Sequence, residues 1–201
     1  SWVKGNTFAY FDRQDGEWIM SVIDEGVNDT RMVAAVDVNG NGRPDLVGTA
    51  TMDDLLVWYE NPGDPSNLPW PRHIIDTPPK PHHGQPIDMD GDGDLDLFVA
   101  RYAPGLDLDG VLDGTLVGDG NAIYRNESGA MVWLPGALPA DVVDDVSFHG
   151  QWLDADEDGH PDLYLASDFG PFLGRNRLLL GDGAGGFSSA DECACDLAMF
   201  G

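Results

Sequence analysis

Three stretches of the chain place acidic and amide side chains at the same offsets, and each runs directly into an apolar segment. They begin at Asp37, Asp88 and Asp154. Counting from that residue, position three is Asn39, Asp90 or Asp156, and position five is Asn41, Asp92 or Asp158. Position six is Gly42, Gly93 or Gly159, position nine is Asp45, Asp96 or Asp162, and position ten is Leu46, Leu97 or Leu163. Such agreement is an internal repeat, and a repeat constrains the architecture more than any other feature of a sequence.

The flanks repeat as well. Five residues before each first Asp stand Met32, His83 and His149, and His83-Gly84-Gln85 matches His149-Gly150-Gln151. After each loop come strand-favouring runs, "LVGTAT", "LFVARY" and "LYLAS". A second apolar run follows in each copy: "LLVWYEN" at 55–61, "NAIYRNESG" at 121–129 and "NRLLLGDGAGGF" at 176–187. A short last run closes each: "RHIID" at 72–76, "MVWL" at 131–134 and "GFSS" at 186–189. Gly, Asn, Asp and Pro separate these runs, which is the punctuation of short β-strands joined by turns.

The pitch is 51 residues between the first two loops and 66 between the second and third. Four strands in roughly 40–50 residues is the arithmetic of a propeller blade. The longer second copy carries a Gly- and Asp-rich insertion at 103–120. No stretch keeps helical periodicity over three turns, which disfavours a helical solenoid. The expected fold is therefore all-β, a β-propeller segment of about three and a half four-stranded antiparallel blades, with ion-binding loops between strands one and two. Its divisions are a half blade of outer strands at 1–30, blade 1 at 31–80, blade 2 at 81–146, blade 3 at 147–192, and a lead-in to a further blade at 193–201. "NTFAYFD" and "EWIMSVID" supply the half blade.

A hard divalent cation such as Ca²⁺ takes six to eight oxygens at about 2.3–2.6 Å. A nine-residue loop can wrap it with side chains one, three, five and nine and the carbonyl of residue seven. The expected ligands are thus Asp37, Asn39, Asn41, Arg43 and Asp45 in the first loop. In the second they are Asp88, Asp90, Asp92, Asp94 and Asp96; in the third, Asp154, Asp156, Asp158, His160 and Asp162. Arg43, Asp94 and His160 serve through their backbone carbonyls. Glycine at position six admits the positive φ that turns the chain around the ion. An EF-hand is excluded: its bidentate Glu at position twelve is replaced by Gly48, Val99 and Leu165, inside strand-like runs. By side-chain charge the first loop carries −2 and the other two −4 each, so the first is expected to bind most weakly.

The pattern D-x-[DN]-x-[DN]-G-x-x-D-L followed by a strand resembles the calcium loop of the FG-GAP, or VCBS, repeats of integrin-α-like propellers. "NRLLLGDGAGGF" is similar to the downstream half of that repeat. "SFHGQWLDADEDGHPDLYLASDFG" and "CACDLAMFG" further resemble bacterial relatives of cartilage acidic protein. The resemblance implies structural calcium sites in the hairpin between the first two strands of each blade. Asn39 and Asn41 depart from the pattern, and "NAIYRNESGAMVW" lacks the usual final Phe.

Composition agrees. The formal charge is −26, built from 30 Asp and 6 Glu against 2 Lys and 8 Arg. That balance argues against nucleic acid as a partner and for cations. Three bound Ca²⁺ would bring the charge to −20. No run of about 18 apolar residues is present, so no membrane span is expected, and the start at Ser1-Trp2 reads as a mature or excised product. Cys193 and Cys195 leave a disulfide, half a metal site and plain packing all open. Asp107, Asp109 and Asp113 read as a solvated loop rather than a fourth ion site. His83 and His149 could face one another near an axis and hold a metal or ligand, although packing is the plainer reading. Trp58, Tyr59, Trp70, Trp133 and Trp152 could stack sugars, but core between blades fits them better. Asn28 and Asn126 head N-glycosylation sequons.

No nucleophile elbow, phosphate-cradling loop or HExxH helix is present. The expected function is non-catalytic: a secreted or periplasmic calcium-stabilised module for protein binding, adhesion or assembly. Its partner would be another protein, or a second copy completing a ring. The rival is a glycan-binding or polysaccharide-lyase-type propeller, with a possible glycan ligand.

Overall fold

Strands β4, β5, β8 and β9 are apolar on both faces, a pattern that requires cover above and below. In the computed structural model, which describes residues 6–101, 120–167 and 175–190, that cover is other sheets. A hairpin of β1 (Phe8–Gln14) and β2 (Glu17–Asp24) precedes three four-stranded antiparallel sheets. The first holds β3 (Thr30–Val36), β4 (Asp45–Ala50), β5 (Leu55–Tyr59) and β6 (Arg72–Asp76). The second holds β7 (Pro81–Ile87), β8 (Asp96–Arg101), β9 (Ala122–Glu127) and β10 (Ala130–Trp133). The third holds β11 (Ser147–Leu153), β12 (Asp162–Ser167), β13 (Arg177–Gly181) and β14 (Phe187–Ser189). Strands within each sheet lie in sequence order, each antiparallel to the next. The result is all-β and built of propeller-like blades.

Three cores separate four layers. Phe8 and Ile23 of the hairpin pack with Leu46, Val57 and Tyr59 of the first sheet. Val47, Leu56 and Trp58, on the opposite face of that sheet, pack with Leu97, Val99 and Tyr124 of the second. Phe98, Ala100 and Ile123 then meet Leu163, Leu165 and Leu179 of the third. Alternate residues of one strand thus serve alternate interfaces, as the two-residue period of a strand demands. The first strands stand side by side, β3 against β7 and β7 against β11.

Each first strand slips register at the same place, between Thr30 and Met32, Pro81 and His83, and Ser147 and His149. A repeated bulge of this kind re-aims the side chains that follow it. Just beyond, Gly84 lies where an added Cβ would sit 2.7 Å from the Phe98 carbonyl and 2.8 Å from Met32 Cε, and at Gly150 it would strike the Phe98 ring. The His-Gly-Gln repeat is therefore glycine for space, not for backbone freedom.

Two features lie outside the expected scheme. A single helical turn, α1 (Ala140–Val143), links the second and third sheets. It is held by buried Asn121, whose amide Nδ2 donates to the Val142 carbonyl at 3.1 Å and to Ser147 Oγ at 2.9 Å. The outer face of the hairpin leaves Phe11, Trp18 and Met20 at 60%, 69% and 55% exposure. Among the aromatics, Trp58, Tyr59 and Trp70 are buried and Trp152 packs on the core, but Trp133 is exposed. The insertion with Asp107, Asp109 and Asp113, and Cys193 and Cys195, lie outside the described residues.

Candidate metal centres

Each Asp-rich loop spans the first and second strands of its sheet: 37–45 joins β3 to β4, 88–96 joins β7 to β8, and 154–162 joins β11 to β12. The residues expected to be equivalent make the same hydrogen bonds. The position-one carboxylate accepts from the position-six glycine N–H, at 2.7 Å for Asp37–Gly42, 3.1 Å for Asp88–Gly93 and 3.2 Å for Asp154–Gly159. Asn39, Asp90 and Asp156 accept from the N–H two residues on, and so do Asn41, Asp92 and Asp158. These nested turns fold the side-chain oxygens back over the loop.

Asp45, Asp96 and Asp162, at position nine, are all buried, at most 1% exposed. One oxygen of each accepts the position-two N–H, from Val38 at 3.0 Å, Met89 at 3.0 Å and Ala155 at 2.6 Å. The other accepts an N–H at the exit of the third strand, from Asn61 at 2.8 Å, Asn126 at 2.8 Å and Gly181 at 2.9 Å. Sequence reasoning gave position nine a ligand role only; it also rivets the loop to the third strand. Burial, with nearby Asp90 and Asp92, pushes the Asp96 carboxyl up to about 6 despite these donors. Burial likewise raises Asp45, with Asp37 and Glu60 adding to it. Crowded buried carboxylates of this kind are relieved by a cation.

Two full clusters form. Asp88, Asp90 and Asp96 each offer an oxygen, and these lie within 4.8 Å of one another; so do Asp154, Asp156 and Asp162. Two oxygens on opposite sides of one Ca²⁺ stand at most about 4.6–5.2 Å apart, twice the bond length. The donor set is all hard oxygen, and its spacing fits that ion. Asp92 and Asp158 are outside the converging clusters. Their Oδ1 atoms accept from the backbone N–H of Asp94 and His160. In the first loop Asp37 and Asp45 are joined by Asn39 and Asn41, and Glu60 adds a carboxylate that accepts from Asn39 Nδ2 at 3.2 Å. Glu60 lies beyond the nine-residue pattern and gave no signal in the sequence.

The turn needs two left-handed residues, not one. Position six has φ of 80°, 95° and 89° at Gly42, Gly93 and Gly159, and position four has 69°, 76° and 64° at Gly40, Gly91 and Glu157. A Cβ on any of these five glycines would meet nothing within 4 Å, so the dihedral alone demands glycine there. Position twelve lies inside β4, β8 and β12, as Gly48, Val99 and Leu165, where no EF-hand ligand could stand.

Residues 37–99 match the FG-GAP-like repeat. That span, just under a third of the chain, runs from the first Asp of loop one into β8, the strand that follows loop two. The third loop repeats the hydrogen bonds of the FG-GAP-like segment although it lies beyond the matched residues. No curated protein is significantly similar to the chain.

Other singled-out residues sort clearly. His149 Nδ1 and His83 Nε2 are 3.1 Å apart, so these two rings do meet, while Met32 is buried in the core between sheets. Burial and the neighbouring His149 and His82 rings push His83 down to about 4. Asn126 is fully buried, and its Nδ2 donates to the Val38 carbonyl at 2.9 Å, which closes it to glycosylation in the folded chain. Asn28 is exposed, with Nδ2 bonded to Asp53 at 2.8 Å. No helix among the described residues is long and apolar enough to cross a membrane.

Proposed function

We propose that the chain is a calcium-stabilised, non-catalytic propeller module that works outside the cytosol in protein binding, adhesion or assembly. The observation that carries this reading is the threefold recurrence of one hydrogen-bonded loop, twice with three carboxylates converging at calcium-ligand spacing. When bound, the ion supplies charge compensation for Asp88, Asp90 and Asp96, for Asp154, Asp156 and Asp162, and for Asp37 and Asp45. The protein's own side chains fix the loop by accepting backbone N–H groups. Millimolar calcium, as found outside cells, suits sites of weak to moderate affinity. Kinship with the bacterial relatives of cartilage acidic protein belongs to the same proposal.

The assembly role rests on the ends of the stack. Val47 and Phe98, both at position eleven, are covered by the next sheet and are 1% and 0% exposed. Their counterpart Tyr164 is only half-buried, and Phe11, Trp18 and Met20 are open at the other end. A further sheet, from more of the same chain, a protein partner or a second copy, is the cover such faces take within this fold.

Calcium titration by calorimetry tests the ion reading. Two or three equivalents are expected, with Asp90→Asn and Asp156→Asn each weakening one site. Absence of heat above buffer, or unchanged affinities in both variants, contradicts it.

A further inference from the structure

One buried side chain ties two of the Asp-rich loops together. Asn126, next to the end of β9, is fully buried. Its backbone N–H donates to Asp96 Oδ1 at 2.8 Å, at position nine of the second loop. Its Nδ2 donates to the Val38 carbonyl at 2.9 Å, at position two of the first loop. Val38 in turn donates its N–H to Asp45 Oδ2 at 3.0 Å. A chain of bonds thus runs from one position-nine carboxylate to the other.

The turn that follows makes the same bridge. Asp94 Oδ2, at position seven of the second loop, accepts the Ser128 N–H at 2.9 Å, and Asn126 Oδ1 accepts that of Gly129 at 2.8 Å. A Cβ on Gly129 would stand 3.4 Å from Cα and Cβ of Asn39, position three of the first loop. The turn between β9 and β10 is fastened to the second loop and seated on the first.

The equivalent residues make no such link. Asn61, in the first sheet, turns its Nδ2 back to the Pro44 carbonyl of its own loop at 3.0 Å. Gly181, in the third, has no side chain, yet its N–H holds Asp162 as well as the Asn126 N–H holds Asp96. The turn after Gly181 approaches the second loop at Met89 Cε, 3.2 Å from where a Cβ on Gly185 would stand. A flexible thioether carries little fixed geometry from loop to loop. Fastening a loop to its own sheet therefore needs only a backbone N–H, and what the Asn126 side chain adds is the donor to Val38.

We propose that Asn126 is a positioning residue that couples the first two ion sites, so that occupation of the second loop favours occupation of the first while the third stays independent. The proposal rests on the calcium reading above. Asp94 and Asp96, drawn together in a closed second loop, hold the turn and keep the Asn126 amide on the Val38 carbonyl. Val38 lies between Asp37 and Asn39, two expected ligands of the first loop. When the second loop opens, that buried carbonyl stands to lose its donor, which opposes closure of the first. The first loop has the fewest carboxylates, so it gains most from being held in shape beforehand.

Calcium titration followed by the amide resonances of Gly42, Gly93 and Gly159 reads the three loops separately. Asp90→Ala combined with Asp92→Ala disables the second loop but retains Asp94 and Asp96. This pair is expected to raise the calcium midpoint at Gly42 by at least about fivefold, and to leave that at Gly159 unchanged. Asn126→Gly, which copies the third sheet, is expected to raise the Gly42 midpoint by itself. Adding the Asp90 and Asp92 changes to it should then add nothing, which a purely structural role would not produce. Circular dichroism melts establish that each variant is folded, and Asn126→Ser, with a hydroxyl too short to reach Val38, replaces the glycine variant if that one is not. Calcium that shifts none of the three glycines overturns the ion reading itself. Binding at all three with a Gly42 midpoint that ignores the Asp90 and Asp92 changes, or that they shift equally in the Asn126→Gly chain, overturns the coupling alone.

Discussion

Tyr124 donates its hydroxyl to Asp76 Oδ2 at 2.7 Å, tying the third strand of one sheet to the outermost strand of the sheet before it. Tyr59 makes the same bond to Asp24 at 2.7 Å, one layer earlier. Asp24 ends β2 as Asp76 ends β6, so the N-terminal hairpin stands to the first sheet as the outer strands of that sheet stand to the second. In the third sheet the corresponding residue is Leu179, opposite Leu163 as Tyr124 is opposite Leu97, and no such tie can form.

Both hydroxyls are pushed above the ordinary tyrosine value, by burial first and then by the aspartate each one meets. The folded chain therefore keeps protons that the unfolded chain releases near pH 10. Their contribution to stability is complete below that pH and is lost as pH rises past it. Urea melts from pH 7 to pH 11 should show stability falling above about pH 10. Tyr124→Phe should cost about 1 kcal/mol at pH 7 and flatten the alkaline fall.

Position nine separates the structural from the ionic role of the loops. An amide at Asp96 would set its NH₂ against one of the two N–H groups, of Met89 and Asn126, that the carboxylate now accepts. Asp96→Asn is expected to destabilise by about 1–3 kcal/mol with or without calcium. Asp90→Asn should destabilise only when calcium is present. Parallel melts in calcium and in chelator read the difference, and equal behaviour of the two variants contradicts the division of roles.

Glu157 is the exception in its loop, a side chain held at φ 64° where the other two loops have Gly40 and Gly91. A left-handed dihedral costs an ordinary residue roughly 1–2 kcal/mol. After the entropy that glycine loses on folding, Glu157→Gly should still stabilise by about 0.5–1 kcal/mol. The shift in urea midpoint measures it.

Gly84→Ala tests the packing of first strand on neighbouring sheet. The new Cβ would lie 2.7 Å from a backbone oxygen, which cannot swing away as a side-chain tip could. A loss of about 1–3 kcal/mol is expected. Gly91→Ala meets no atom, and its cost is expected to be the dihedral term alone, about 1–2 kcal/mol.

How far the residues alone foretold this arrangement depends on what each rule could sense. Runs such as "EWIMSVID" and "RHIID" became β2 and β6 at the expected bounds, because two-sided apolar patterning and turn residues are local signals. The loops were readable because ion ligation and left-handed turns dictate residue type at fixed offsets. The second bond of each position-nine carboxylate was not, since Asn61, Asn126 and Gly181 reach it only through the fold. Position four was hidden by Glu157, which breaks the glycine pattern. Asn126 read as a sequon because three residues cannot report burial. The turn at Ala140–Val143 is too short to show a helical period.

The central claim is that a divalent ion holds these loops shut, and the melting midpoint with millimolar calcium against excess chelator tests it most directly. At a hundredfold excess over Kd each site adds about 2.7 kcal/mol. For a chain of this length each kcal/mol moves the midpoint by about 2–4 °C. Occupation of the second and third loops alone should raise the midpoint by at least about 10 °C. Midpoints that coincide in calcium and in chelator would contradict the account.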